Sequence, residues 1–171
     1  MSSTASGSLA VIVGVTGSIG SALLAELQSS GGFASIVGLS RQGSPRLDLT
    51  NESSIRAAAL YVANQLEVDN LALKLVLDAT GMLHSATHQP EKSWTQLDAN
   101  QMAQAFAINA VGPALLMKHF LPLLPRQGRS VFATLSAKVG SIGDNRLGGW
   151  YRHRIAISDG IKPTLTPLFS L

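Results

Sequence analysis

Cysteine is absent from this 171-residue chain, so disulfide scaffolds and thiolate chemistry are excluded and a reducing compartment fits. Charge is scarce too, at 13% of residues, and no uninterrupted apolar run approaches the roughly 18 to 20 residues that cross a membrane. Residues 1–8 have neither a basic start nor an apolar centre and read as a small polar arm, not a signal peptide. A soluble, cytoplasmic protein with no membrane partner is therefore expected. Net charge is +3, but the basic residues after Pro125 stand singly in glycine-containing sequence, with no stacking aromatics between them, and nucleic acid is not expected as a partner. No lysine precedes Lys74, which excludes a nucleoside-triphosphate loop ending in Gly-Lys-Ser/Thr near the N-terminus. No metal site is expected either. His84 and His88 share a polar loop with Pro90, lack an acidic partner and read as solvated.

What is present centres on residues 9–20, Leu-Ala-Val-Ile-Val-Gly-Val-Thr-Gly-Ser-Ile-Gly. Leu9 to Val13 is too short for a helix and rich in β-branched residues, so it reads as a buried strand of a parallel sheet. From Ser18 onward Ile19, Leu23, Leu24 and Leu27 form the stripe of a helix packing back on that strand. Gly14, Gly17 and Gly20 sit at the junction between them. Glycines there permit positive φ and let a diphosphate lie against the backbone, where a helix N-terminus offers free N–H groups. They also serve simple tight packing, and the turn alone does not choose between the two readings.

Further along, Ser30-Gly31-Gly32 marks a helix stop and Ala34 to Leu39 a second strand, which ends in Ser40-Arg41. In a two-strand unit of this kind the residue at that strand end meets the adenosine ribose. Arg41 there favours a 2′-phosphate, or is an ordinary loop arginine. A helix over about 53–67, capped by Asn51 or Thr50, leads to a third strand at Leu71 to Leu77. Three βα repeats argue for a doubly wound, three-layer α/β/α sheet. Asp98 with Gln101 resembles a capping box that opens a helix to about Phe120, and Pro113 inside it predicts a kink near Asn109. That asparagine stands among apolar neighbours and needs partners, either to tie a backbone break or to organise a site. Ser130 to Leu135 reads as a fourth strand.

These elements together resemble the short-chain dehydrogenase/reductase family over about residues 9–151, and residues 89–150 resemble its C-factor-like (C-signal) carbonyl-reductase branch. The marks are Gly14-x-x-Gly17-x-Ile19-Gly20, Leu47-Asp48-Leu49, Asp78-Ala79-Thr80-Gly81 in place of the usual Asn-Asn-Ala-Gly, and Phe106-Ala-Ile-Asn109-Ala-Val-Gly112-Pro113. Leu135-Ser136-Ala-Lys-Val-Gly140-Ser141 and Asp144-Asn-Arg-Leu-Gly-Gly-Trp150-Tyr151 complete the set. The resemblance implies an incomplete Rossmann-type domain over 1–151, a non-matching tail over 152–171, and NADP(H) as cofactor with NAD(H) as the alternative. It implies cofactor contacts from Gly14, Thr16, Gly17, Ser18, Ile19, Gly20, Arg41, Asp48, Leu49, Ala79, Thr80 and Gly81. It further implies hydride transfer with a small-molecule carbonyl or alcohol, a homo-oligomer, Asn109 in the catalytic tetrad and Ser136 near the serine's place.

The sequence departs from that pattern at its chemical centre. The family's proton-donating tyrosine and the lysine four residues on would fall at His153 and Ile157, or at Tyr151 and Ile155 if counted from the one nearby tyrosine, and the usual Ser-Ser pair reads Ser136-Ala137. The tail, with Pro163 and Pro167, is expected to lack the family's next helix, which suggests a premature end or a shifted reading frame. Without that helix Phe106, Leu115 and Leu116 are expected to lie partly exposed. The expectation is an oxidoreductase lineage whose present chain lacks its proton-transfer groups. The rivals are a non-catalytic dinucleotide-binding or signalling module and an unstable fragment.

Overall fold

The computed structural model describes residues 7–83, 89–137 and 149–161. They belong to two compact units, one of Met1–Thr80 with Leu115–Leu135 and one of Gly81–Ala114 with Ser136–Leu171.

The first unit is built on a parallel four-stranded sheet in the order β2-β1-β3-β4. Its strands are β1 (Gly7–Val13), β2 (Ser35–Leu39), β3 (Leu71–Asp78) and β4 (Val131–Thr134). Paired on both sides, β1 has Leu9 to Val13 buried throughout, which is why it reads as continuous apolar sequence rather than as an alternation. Val13 lies opposite both Leu39 and Asp78, so three strands end level. Helices α1 (Ser18–Ser30) and α2 (Glu52–Val68) make the first two crossovers. The chain moves outward from β1 to β2 and then back past β1 to β3, and right-handed crossovers put the two helices on opposite faces. This is an incomplete Rossmann-type, doubly wound fold with its switch point at the carboxyl ends of β1 and β3.

Local signals act as expected at several ends. Asn51 caps α2 by accepting from the Ser54 N–H at 3.3 Å, and Ile55, Ala58, Ala59 and Val62 bury one face of that helix. Gly31 closes α1 at φ +62°. The apolar stripe of α1 is less buried than its spacing predicts. Ile19, at 57% exposure, lies in the first turn beyond the strand ends, where no sheet surface remains for it to cover.

In the second unit, α3 (Ala99–Phe106) runs into a π-helical turn at Ala107–Val111 and on into α4 (Gly112–Phe120), which crosses into the first unit. Pro113 has no N–H to give the Asn109 carbonyl, and the expected kink takes the form of that wider turn. Asp98 caps α3 by accepting from the Gln101 N–H at 2.9 Å, but the Gln101 side chain does not close a capping box; its Oε1 accepts from Arg152 instead. The helical run Ala99–Leu123 is long and apolar enough to cross a membrane by length and composition. Within it Ala105, Asn109, Ala110, Gly112, Pro113, Leu116 and Phe120 are buried and Val111 is exposed.

Two expectations are corrected. Leu116 is fully buried where partial exposure was expected, while Phe106 and Leu115 are partly exposed, as expected. Residues Tyr151–Ile161 form an eleven-residue helix, α5, where none was expected. It packs on α3 and the π-turn through Arg152, His153, Ala156 and Ile157, a face whose first two residues are polar and so disguise the helical period. His84, His88, Gly140, Ser141, Asp144, Pro163 and Pro167 lie outside the described residues.

Candidate functional site

The glycine turn is locked to both neighbouring strand ends. The Gly14 N–H donates to the Leu39 carbonyl at 2.8 Å, and the Ala79 N–H donates to the Val13 carbonyl at 3.0 Å. Gly14 has φ +91°, and a Cβ there would stand 3.0 Å from Thr80 Cγ2 and 3.1 Å from the Ala79 carbonyl oxygen. The turns leaving β1 and β3 thus abut at the switch point. Gly20 is more constrained: a Cβ on it would lie 2.1 Å from the Gly14 carbonyl oxygen, well inside contact distance. Its place in the motif is to let α1 start hard against the turn. Gly17 supplies the N-cap without a side-chain hydrogen bond, and Thr16, Gly17, Ser18 and Ile19 are exposed. The first-turn N–H groups of α1 have no intrahelical acceptor and carry the positive end of the helix dipole.

At the end of β2, buried Ser40 bridges to Arg46 and its carbonyl accepts from the Leu47 N–H at 2.9 Å, which folds the loop back and leaves Arg41 exposed near its start. Asp48 is committed locally. Its Oδ1 accepts from the Thr50 hydroxyl at 2.7 Å and the Thr50 N–H at 3.0 Å, while Oδ2 meets Arg46 Nη2 at 3.2 Å. The Thr50 hydroxyl first, and then its N–H, hold the carboxyl below the usual range against partial burial, with Arg46 adding to them. Leu49 is buried.

Asp78, fully buried at the end of β3, accepts at Oδ1 from the hydroxyl and N–H of Thr80. Burial pushes its carboxyl up, while Thr80 and Thr134 pull it down. Thr134 is its register partner on β4, yet neither Asp78 Oδ2 nor Thr134 Oγ1 has an aligned hydrogen-bond partner. Both are acceptors when the carboxyl is ionised, and only the hydroxyl has a hydrogen to share. The variant Asp78→Asn, with an amide hydrogen available to Thr134, is expected to stabilise the fold at pH 7 by about 1 to 3 kcal/mol, the cost of unpartnered buried polar groups. Because the folded carboxyl titrates above its unfolded value, that gain shrinks as pH falls toward about 4. Urea unfolding of both proteins at the two pH values checks it, and a destabilised Asn variant at pH 7 contradicts it.

The second unit holds a buried polar cluster. Asn109, in the π-turn, clamps one residue at two points: its Oδ1 accepts from the Met82 N–H at 2.7 Å and its Nδ2 donates to the Met82 carbonyl at 2.8 Å. His153 Nδ1 of α5 approaches Asn109 Nδ2 at 3.5 Å, and the ring is only 7% exposed. Burial holds the His153 pKa below its ordinary value, with Arg152 acting the same way, while the Met82 carbonyl and Glu91 oppose them. Arg152 donates to Gln101 and to the Gln89 carbonyl, and its Nε stands 3.3 Å from buried Glu91 Oε1. That last approach is a charge contact without hydrogen-bond alignment, since neither Glu91 oxygen has a hydrogen-bond partner. Ile157, one turn after His153, is buried, and Ser136 is exposed just beyond β4. Sequence spacing carried no sign of the pairing of Glu91 with Arg152.

A parallel sheet wound in this order, with a glycine turn at its switch point, defines a dinucleotide-binding class of fold. The family model described as Enoyl-(Acyl carrier protein) reductase matches residues 14–153. The chain belongs to the short-chain dehydrogenase/reductase family. It is 28% identical over 116 residues to 1-hydroxy-2-glutathionyl-2-methyl-3-butene dehydrogenase of Rhodococcus sp. (strain AD45), an alignment covering 66% of this chain and 44% of that protein. Among solved structures, the NADPH-bound carbonyl reductase from chicken fatty liver superposes with a TM-score of 0.75 at 20% identity. That match covers 88% of this chain and 65% of the other. A carbonyl reductase from Pseudomonas aeruginosa PAO1 gives 0.68 at 20% identity, covering 88% and 71%. The chain thus spans less than half of the curated relative's length.

Proposed function

We propose that this chain is a nicotinamide-dinucleotide-binding domain of oxidoreductase lineage that takes NADP(H) and has lost the proton-transfer groups of carbonyl reduction. The observation that carries the reading is the glycine turn. Gly20 lets α1 start on the Gly14 carbonyl, and the uncapped first turn beside exposed Thr16, Gly17 and Ser18 is open to a diphosphate. Ala79, Thr80 and Gly81 would border the same ligand, and exposed Arg41 would meet a 2′-phosphate. Asp48 would offer adenine a carboxylate that Thr50 and Arg46 already hold in place, with buried Leu49 supporting the loop from beneath. A bound nicotinamide supplies a hydride to a carbonyl or accepts one from an alcohol. For that chemistry this chain offers Asn109, committed to Met82, together with exposed Ser136 and a buried His153 whose ring is kept neutral. The buried Ile157 stands where the family's lysine would lie.

Titration with NADPH and NADH tests the cofactor choice. A charge-assisted contact from Arg41 predicts a preference for NADPH of about 10- to 100-fold, or roughly 1.5 to 3 kcal/mol, most of it erased by Arg41→Ala. Equal affinities in the wild type would remove Arg41 from the site.

A further inference from the structure

We propose that α5 is held on the second unit by a proton-sensitive latch, in which neutral His153 keys into the Asn109–Met82 clamp and protonation of its ring releases the helix. Asn109 spends Oδ1 and one Nδ2 hydrogen on Met82, so one amide hydrogen remains for His153 Nδ1 at 3.5 Å. That nitrogen accepts in the neutral tautomer that carries its hydrogen on Nε2. Once protonated it is a donor facing a donor.

The surrounding charges leave no room for a second cation. On α5 itself Arg152 stands next to His153, and the segment before the Trp94–Gln96 turn contributes Glu91, 4% exposed and paired with Arg152. Residues 99–111, which form α3 and the π-turn, contain no ionisable side chain. The stretch after β3 contributes the Met82 carbonyl. One buried anion therefore faces one buried cation already, and an imidazolium adds an unmatched charge. The directions agree with this: burial and then Arg152 disfavour the charged ring more than Met82 and Glu91 favour it. A folded pKa below the unfolded value of about 6.5 means that the unfolded helix binds more protons. The docking stability is then full above that value and falls as pH drops through it, until the folded pKa is reached.

Amide hydrogen exchange of residues 152–157 in the full chain tests the latch. After correction for intrinsic exchange, protection is expected to fall between about pH 7.5 and about pH 5, because the undocked helix takes up the proton more readily than the docked one. The variant His153→Gln keeps an uncharged acceptor for Asn109 at either pH and is expected to lose this dependence. Equal protection of the wild type at both pH values would overturn the proposal. So would a pH response that persists in His153→Gln and vanishes in Glu91→Gln, since the carboxylate would then be the switch. Should His153→Gln not fold, the ring of wild-type His153 followed by NMR gives the answer: titration below about 6.5 supports the latch, and titration at or above it refutes it.

Discussion

No NADPH is expected to be consumed when this chain is mixed with aldehydes or ketones. Reducing a carbonyl builds negative charge on its oxygen, and a positioned acid is worth about 10²- to 10⁴-fold in rate. By the resemblance the family's tyrosine would fall at His153, a buried imidazole whose pKa is pushed down by that burial and which is therefore neutral at pH 7. One turn further on, where an ammonium would lower the donor's pKa, stands buried Ile157. Restoring the phenol alone, as His153→Tyr, is expected to leave the assay silent, because an unassisted tyrosine titrates near about 10. Following NADPH absorbance over a panel of carbonyl compounds checks both proteins. Turnover by the wild type that disappears in His153→Ala would make histidine the acid.

Gly20→Ala is expected to be the most damaging single methyl in the first unit. The added carbon would sit 2.1 Å from the Gly14 carbonyl oxygen and 2.7 Å from its carbon, both main-chain atoms that no rotamer change can move. Either α1 lifts from the turn or Gly14 leaves φ +91°, and that backbone is tied to Leu39 and abuts Ala79 and Thr80. Overpacking against a fixed backbone costs about 3 kcal/mol at the upper end of the usual range, and the turn's nucleotide affinity should fall more than about tenfold with it. Gly31→Ala separates this from general glycine effects. Gly31 also has positive φ but nothing within 4 Å, so its alanine variant is expected to lose only the left-handed backbone cost of roughly 1 to 2 kcal/mol. Urea unfolding of the two variants ranks them, and a Gly20→Ala cost below that of Gly31→Ala contradicts the account.

The sheet was legible because central parallel strands are buried on both faces and appear as unbroken apolar runs, and because Gly14, Gly17 and Gly20 mark one backbone geometry. Asn109 was legible as an anomaly, an amide among apolar residues beside Pro113, and both its burial and the π-turn follow from that pairing. The rest escaped for definable reasons. Helix α5 buries Arg152 and His153, residues that pattern reading assigns to solvent, and Arg152 lies inside only because Glu91, Gln101 and the Gln89 carbonyl meet it there. No local rule joins residues so far apart in sequence. Gln101 looked like half of a capping box because spacing shows which backbone a side chain can reach, not which partner competes for it. Ile19 fell in the right helical phase, but phase carries no information on where the sheet beneath ends.

Amide chemical shifts recorded while NADPH is titrated into the wild-type chain decide whether the glycine turn holds a dinucleotide. Saturable shifts concentrated at Gly14 to Gly20, Ala79 to Gly81 and Arg41 are predicted, because the first-turn N–H groups of α1 carry no side-chain cap and Arg41 is exposed just after β2. A folded chain whose glycine-turn amides do not move at saturating NADPH would contradict it.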